Sequence, residues 1–199
     1  MNEHLRRPDL SITTQAAEGL MRRRWSVAEI EAMVQAGVLE EDERFELIGG
    51  EVVPMSPKGN RHELLKTSLT RLWSKQAPDD IFLAQETTFR LDEDTFLEPD
   101  FVFYRKAVGL VNLKPETALL AVEIADSSLG YDLGRKARLY AAFAIRELWV
   151  IDAVKLATHI HRRPGIEGYQ EKLLVPPDAA LAPDFAPQLA VRLGALELV

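Results

Sequence analysis

The sequence predicts a mixed α/β (α+β) domain in which a mixed central β-sheet is flanked by helices. Short apolar runs separated by tight turns outnumber helical patterns, as is typical of antiparallel strands. A strand–helix–strand pattern over residues 118–152 adds a unit that makes the predicted sheet mixed. The 199 residues are 47% hydrophobic and 28% charged, which suits one globular domain, assigned here to residues 25–199.

The first part of the chain is predicted to contain an arm, a helix and a hairpin. Residues 1–24 show no sustained apolar period, so we expect a loosely ordered arm there. Ser26 and Glu29 have the spacing of a capping box, which predicts a helix that ends at Gly37. Two strand patterns flank a Gly-Gly pair, which two-residue hairpin turns prefer; they cover residues 44–48 and 51–55.

The rest of the chain is predicted to alternate between strands and helices. Apolar residues between Leu64 and Trp73 recur on one helical face, which predicts a second helix. Further strands are predicted at residues 81–84, 87–91, 100–104, 118–125 and 147–152. Asp132 is expected to cap a helix that ends near residue 144. A hairpin around Pro164-Gly165, a proline-rich loop and a strand at residues 189–193 are expected to complete the fold.

Composition excludes several classes of site. The chain has no cysteine, which rules out disulfides, thiolate zinc sites, iron–sulfur clusters and a cysteine nucleophile. No glycine-rich phosphate loop is present, so no organic cofactor is expected. No apolar run approaches the length of a membrane span, and residues 1–9 lack the apolar core of a signal peptide. We therefore expect a cytoplasmic protein without membrane contact.

Three acidic residues stand out because they lie in apolar strand patterns. Asp100 opens one strand, Glu123 lies inside the run 118–125, and Glu46 lies inside the hairpin. A carboxylate buried in a strand is costly unless it is paired or binds a cation, and two on neighbouring strands would repel each other. A divalent metal is the usual remedy. The alternative is that these residues are strand ends paired with arginine or lysine.

A lysine on the predicted helix after Glu123 could complete such a site. Lys136, Tyr140 and Phe143 share a helical face, so Lys136 lies near the helix start beside aromatic rings. From there an ammonium could reach a metal-bound water or a phosphate. The alternative is a solvated lysine in the basic stretch 135–138.

Histidines offer two weaker hypotheses. His62 lies at the N-terminal end of the second predicted helix, on its apolar face, and could support the site or serve as a hydrogen-bonded core residue. His159 and His161 share one face of a predicted strand, where they could bind a transition metal, but no third ligand is placed beside them.

Six blocks of sequence, taken in order, resemble a known family. They are FELIGGEVVPMSP at 45–57, His62, Glu98-Pro99-Asp100, Val122-Glu123-Ile124 with Ser127-Ser128, Asp132 to Lys136 with Tyr140, and ELWVID at 147–152. The set is similar to the Uma-type (DUF820-like) family of restriction endonucleases, a branch of the PD-(D/E)xK nuclease superfamily. The resemblance covers most of the chain, and it implies a restriction-endonuclease-like core.

The resemblance assigns roles to individual residues. Asp100 takes the place of the motif aspartate and Glu123 that of the motif acid. The lysine expected two residues later is replaced by Ala125, so Lys136 on the following helix becomes the candidate. Glu46 matches an N-terminal acidic residue that often completes such sites.

These roles imply a divalent-metal-dependent endonuclease acting on DNA. Asp100, Glu123 and the backbone carbonyl of Ile124 would hold Mg²⁺ or Mn²⁺, and Glu46 would bind a second metal or orient water. His62 and Tyr140 would support the site.

The resemblance also implies partners. A homodimer is expected, because cleavage of both DNA strands is simplest with two sites related by a two-fold axis. The net charge is −7, from 24 basic and 31 acidic residues, so the protein surface as a whole would repel DNA. We therefore expect DNA to bind to a local group of basic residues that includes Arg135 and Arg138.

Two alternatives remain open at the level of sequence. The first is a catalytically inactive nuclease fold that serves as a binding or assembly module. The second is a metal-dependent phosphodiesterase that acts on a small substrate, which the acidic composition would favour.

Overall fold

The computed structural model describes residues 23–40 and 43–198. The chain packs as two compact units. The smaller unit comprises the described residues of 8–57 together with Thr88–Glu98, and the larger comprises those of Lys58–Thr87 and Pro99–Val199. Residues 1–22 of the predicted arm lie outside the described residues.

The helices of the described residues are α1 (Val27–Gln35), α2 (Asn60–Gln76), α3 (Leu129–Tyr131) and α4 (Ala137–Ala142), with a π-helical segment (Asp132–Lys136) that joins α3 to α4. The strands are β1 (Phe45–Ile48), β2 (Glu51–Pro54), β3 (Ile81–Gln85), β4 (Phe89–Arg90), β5 (Phe96–Leu97), β6 (Phe101–Arg105), β7 (Ala118–Ala125), β8 (Glu147–Asp152), β9 (Ala157–Gly165) and β10 (Gly168–Val175). Single 3₁₀ turns occur at Leu110–Asn112, Pro115–Thr117, Pro187–Leu189 and Leu193–Ala195.

The smaller unit packs α1 against a four-stranded sheet of order β2-β1-β5-β4. The predicted capping box is confirmed: the backbone N–H of Glu29 donates to Ser26 Oγ at 3.2 Å, and that of Ser26 donates to Glu29 Oε2 at 2.9 Å. The predicted hairpin is confirmed as well, since β1 and β2 pair across a turn in which Gly49 and Gly50 both have positive φ.

The larger unit contains a six-stranded sheet of order β10-β9-β8-β7-β6-β3. Its neighbouring strands are antiparallel except for β7 and β8, which are parallel, so the sheet is mixed as predicted. The amphipathic helix α2 packs its apolar face on this sheet through Leu65, Leu69 and Trp73. The Trp73 ring meets Phe101 and Phe103 of β6 edge-on, which explains why β6 is apolar on this face.

Four local predictions were wrong. The helix after β7 begins at Leu129, so Asp132 lies inside it, where it accepts a 2.5 Å hydrogen bond from Ser128 Oγ. The predicted hairpin of β9 and β10 is present, but its turn is formed by residues 166–167, because Pro164 and Gly165 are already paired with β10.

The other two errors concern strand length. Only Phe89–Arg90 of the predicted strand 87–91 is extended, because its partner β5 has two residues. Residues 189–193 form a single bridge, Leu181↔Val191, between 3₁₀ turns.

No helix among the described residues combines the length and apolar character that a bilayer crossing requires.

Replacing Gly50 with alanine tests how tightly the β1–β2 turn is packed. Its φ is +79°, and a Cβ there would lie 2.6 Å from Arg24 Cβ and 2.9 Å from the Trp25 backbone nitrogen. Gly109 is the matched control, with φ of +70° and nothing within 4 Å of such a Cβ. We expect a loss of about 1–2 kcal/mol for Gly109→Ala and at least about 1 kcal/mol more for Gly50→Ala, measured by urea unfolding. Equal losses would contradict the expected clash.

His161 should make the stability of the fold depend on pH. It is buried on β9 beside the ring of Tyr169, and burial, followed by the charge of Lys172, lowers its pKa from 6.5 to about 4. The unfolded chain binds this proton near pH 6.5, whereas the folded protein binds it only near pH 4. The contribution of neutral His161 is therefore complete above pH ~6.5 and is lost as the pH falls toward ~4.

The variant His161→Gln removes this titration. The free energy of unfolding of the wild type should fall relative to the variant by on the order of 1–3 kcal/mol between pH 7 and 4. His159→Gln is the comparison, because His159 is only half-buried. Burial lowers the pKa of His159 too, so the same kind of difference should be smaller for this variant. A wild-type-minus-variant difference that stays constant across this pH range would contradict the assignment.

Candidate active site

The pairing of β6 with β7 brings Asp100 and Glu123 together. Phe101 is opposite Val122 in this antiparallel pair, and Asp100 directly precedes β6, so we infer from the register that Asp100 lies across from Glu123. Side chains of directly opposed residues point to the same face of an antiparallel sheet. The backbone N–H of Ile124 donates to Asp100 Oδ2 at 2.7 Å and ties the two strands together at this point. Both carboxylates are buried, with Asp100 3% and Glu123 5% exposed.

Two side chains at and just before the start of α2 contact Asp100. Lys58 Nζ lies 2.7 Å from Asp100 Oδ1, and His62 Nε2 lies 2.9 Å from the same oxygen. Burial by itself would raise the pKa of Asp100, but the hydrogen bonds and charges of His62 and Lys58 outweigh it and lower that pKa below its ordinary value. Asp100 is therefore held as an anion.

A second carboxylate extends this cluster. Glu86, which follows β3, accepts hydrogen bonds from Lys58 and from Lys66, the latter at 3.1 Å. Burial would raise the pKa of Glu86, but the two lysines lower it to about 2. Sequence reasoning missed Lys58, Lys66 and Glu86. The spacing of Lys58, His62 and Lys66 at i, i+4 and i+8 was a usable signal, whereas nothing in the pattern around Glu86 indicated its role.

The helix after β7 supplies the partners of Glu123. Glu123 Oε1 lies 2.9 Å from Lys136 Nζ and accepts a 2.6 Å hydrogen bond from the Tyr140 hydroxyl. All three side chains are buried. Lys136 ends the π-helical segment, and Tyr140 is four residues further on in α4. The helical face proposed for Lys136 and Tyr140 thus meets the carboxylate of Glu123.

The remaining candidates are one acidic residue and two arginines. Glu46 is buried on β1 of the smaller unit, where its Oε1 accepts a 3.1 Å hydrogen bond from the backbone N–H of Glu98. A part for Glu46 in metal binding stays a prediction. Arg135 and Arg138 are exposed on the turns of helix that carry Lys136.

Oxygen donors in the larger unit match the chemistry of Mg²⁺. Asp100 and Glu123 offer carboxylates, and Ile124 presents its carbonyl on the same edge of β7 as the N–H that binds Asp100. Within residues 23–40 and 43–198, no group of three or more histidine or acidic side chains is placed to hold a metal. Two side-chain ligands with water in the remaining positions is a common arrangement for Mg²⁺, so the donor set fits that ion.

The histidine pair has no such support. His161 packs against Tyr169, and the described residues place no third ligand beside His159 and His161.

Comparisons with known proteins bear on the family and the fold of the chain. A family model described as "Putative restriction endonuclease" (Uma2) matches residues 27–194. A crystal structure of a "putative nuclease belonging to DUF820" from Anabaena variabilis shares the fold, with a TM-score of 0.62 at 17% sequence identity. The match covers 80% of this chain and 93% of that chain. A search among curated proteins found no match. The chain therefore belongs to the Uma2 family, whose members are described as putative restriction endonucleases.

Proposed function

We propose that the protein is a divalent-metal-dependent endonuclease that hydrolyses phosphodiester bonds in DNA. The observation that carries the proposal is a pair of buried carboxylates at neighbouring strands. Asp100 directly precedes β6 and accepts a hydrogen bond from the Ile124 N–H at 2.7 Å, and Glu123, the residue before Ile124 on β7, lies 2.9 Å from Lys136 Nζ. Buried acids with a neighbouring lysine are costly to maintain for stability alone, and groups of this kind cluster at functional sites.

Asp100, Glu123 and the carbonyl of Ile124 would hold Mg²⁺ or Mn²⁺. The bound metal would supply positive charge to the phosphate and lower the pKa of a water molecule. His62 would hold Asp100 in place through its 2.9 Å contact with Oδ1.

Lys136 would act on the water and the phosphate rather than on the metal, because an ammonium group is not a metal ligand. The Lys136 ammonium is buried and lies beside Glu123. From there Lys136 would orient the attacking water or stabilise the negative charge that develops on the phosphate. The Tyr140 hydroxyl, which donates to the same carboxylate oxygen, would fix the rotamer of Glu123.

DNA contact would come from a local basic surface, since the net charge is −7. Arg135 and Arg138 are both exposed and are three residues apart, so they lie on one side of the helix. Arg135 directly precedes Lys136, and Arg138 follows it by two residues. We further propose a homodimer with one site per DNA strand, located in the cytoplasm.

One observation favours a second candidate, a non-catalytic binding or assembly module. The protein's own groups already satisfy both carboxylates, Asp100 through Lys58 and His62, and Glu123 through Lys136 and Tyr140.

Hydrolysis of a small chromogenic phosphodiester in the absence of DNA cleavage would instead indicate a small-molecule phosphodiesterase.

The variant Lys136→Met tests the proposed chemistry. The methionine keeps the apolar stem in place and removes the charge that acts on water and phosphate. We expect Mg²⁺-dependent plasmid cleavage to fall by at least ~100-fold, with Mn²⁺ binding retained. Because Lys136 is buried against Glu123, the free energy of unfolding should also fall, so cleavage is measured well below the unfolding temperature of the variant.

Lys75→Met is the matched control, because it makes the same chemical change on an exposed residue of the last turn of α2. Cleavage by Lys75→Met should equal that of the wild type, and EDTA should abolish both. If Lys136→Met cleaves DNA as fast as the wild type does, the proposed role of Lys136 in the reaction is wrong. No cleavage of DNA by the wild type under any metal condition would favour the non-catalytic module.

The proposed homodimer has its own test. Light scattering on the purified chain at micromolar concentration should give twice the monomer mass, with and without Mg²⁺. A monomeric mass at all concentrations would contradict the dimer and leave the proposed chemistry standing.

A further inference from the structure

Lys58 is a nearly buried cation to which the proposed reaction gives no part. It lies directly before α2, its side chain is 13% exposed, and its Nζ bridges Asp100 and Glu86. The contact with Asp100, at 2.7 Å, is made to Oδ1, whereas Oδ2 is occupied by the N–H of Ile124. The Lys58 ammonium therefore contacts Oδ1, the oxygen of Asp100 that does not accept the backbone hydrogen bond.

An ammonium and a divalent metal compete for this position. A metal ligated by Asp100 Oδ1 would sit about 2.0–2.1 Å from that oxygen, so a resident ammonium at 2.7 Å would stand within a few ångströms of it. Charges of like sign at that separation repel strongly when water is largely excluded. Binding of the metal thus requires Lys58 to leave Asp100.

Glu86 provides a second partner for the departing ammonium. It is already hydrogen-bonded to Lys58, and its pKa of about 2 keeps it ionised at neutral pH. Lys58 can therefore move off Asp100 without losing every ionic contact. Lys66 also binds Glu86, and it binds Glu63, but it makes no described contact with Asp100. Of the two lysines, Lys58 is therefore the one that a metal at Asp100 would displace.

We propose that Lys58 is a built-in counter-ion that occupies Asp100 in the metal-free protein and is displaced to Glu86 when the metal binds. Lys58 then sets the metal affinity and stabilises the metal-free fold. This inference rests on the proposed metal site at Asp100 and Glu123.

The affinity for Mn²⁺, measured by calorimetric titration, tests this competition. Removal of the competing charge in Lys58→Met should tighten Mn²⁺ binding by about tenfold or more. Lys66→Met removes an equal charge that does not touch Asp100, so it should change the affinity by less than about threefold. Lys58→Arg keeps the charge and should bind Mn²⁺ like the wild type. Without metal, Lys58→Met should melt at a lower temperature than Lys66→Met, because Asp100 loses a direct partner.

A second measurement uses the wild-type protein, in case Lys58→Met does not fold. Acylation of lysine amines, followed by mass spectrometry, reports how accessible each side chain is and how readily its ammonium loses a proton to give the reactive amine. Saturating Mg²⁺ should increase the acylation rate of Lys58 several-fold and leave that of Lys66 unchanged. An unchanged or reduced rate at Lys58 would overturn the displacement.

The outcomes separate this inference from the proposed function. Mn²⁺ binding by the wild type with equal or weaker binding by Lys58→Met would overturn the counter-ion role and leave the metal site standing. If neither protein binds Mn²⁺, the proposed metal site fails and this inference fails with it. Binding by Lys58→Met alone would support both.

Discussion

The hydrogen bond from the Ile124 N–H to Asp100 Oδ2 ties a side chain at the start of β6 to the backbone of β7 inside the sheet. An anion in that position must be neutralised, and both neighbouring helices are arranged to do so. The start of α2 brings Lys58 and His62 to Asp100, and the turns around Lys136 and Tyr140 serve Glu123. The cost of burying two carboxylates thus accounts for the polar groups that both helices direct toward Asp100 and Glu123.

The two carboxylates are neutralised in different ways. Glu123 is held by a cation and a hydroxyl from consecutive turns of one helix, so its surroundings are local in sequence. Asp100 belongs to a chain of charges that continues through Lys58 to Glu86 and Lys66. A change at Glu86 should therefore be felt at Asp100. Lys136 and Tyr140, which contact Glu123, come from the turns of helix that follow β7.

Much of the fold could be predicted from the sequence, because its main elements have strong periodic patterns. Asp100 and Glu123 were recognisable as single acids in apolar runs, and the face shared by Lys136 and Tyr140 followed from helical spacing. The Lys58–Glu86 contact could not be predicted, since it joins a loop to a strand end 28 residues away and both residue types are common on surfaces. The early start of the helix at Leu129 was missed because residues 128–131 carry no capping hydrogen bond and no apolar period. Strand β5 could not be predicted, because two residues are too few to show an alternation of apolar and polar side chains.

The path of the chain between β3 and β6 has a consequence for folding. These strands are neighbours in the larger sheet, yet Thr88–Glu98, which connects them, belongs to the smaller unit. Neither unit is a continuous stretch of chain, so a simple truncation would not release either one intact. Pairing of β4 with β5 draws the two ends of this excursion together. By shortening the effective loop, it lowers the entropy that the chain must lose before Gln85 can pair with Phe101 and the edge of the larger sheet can close.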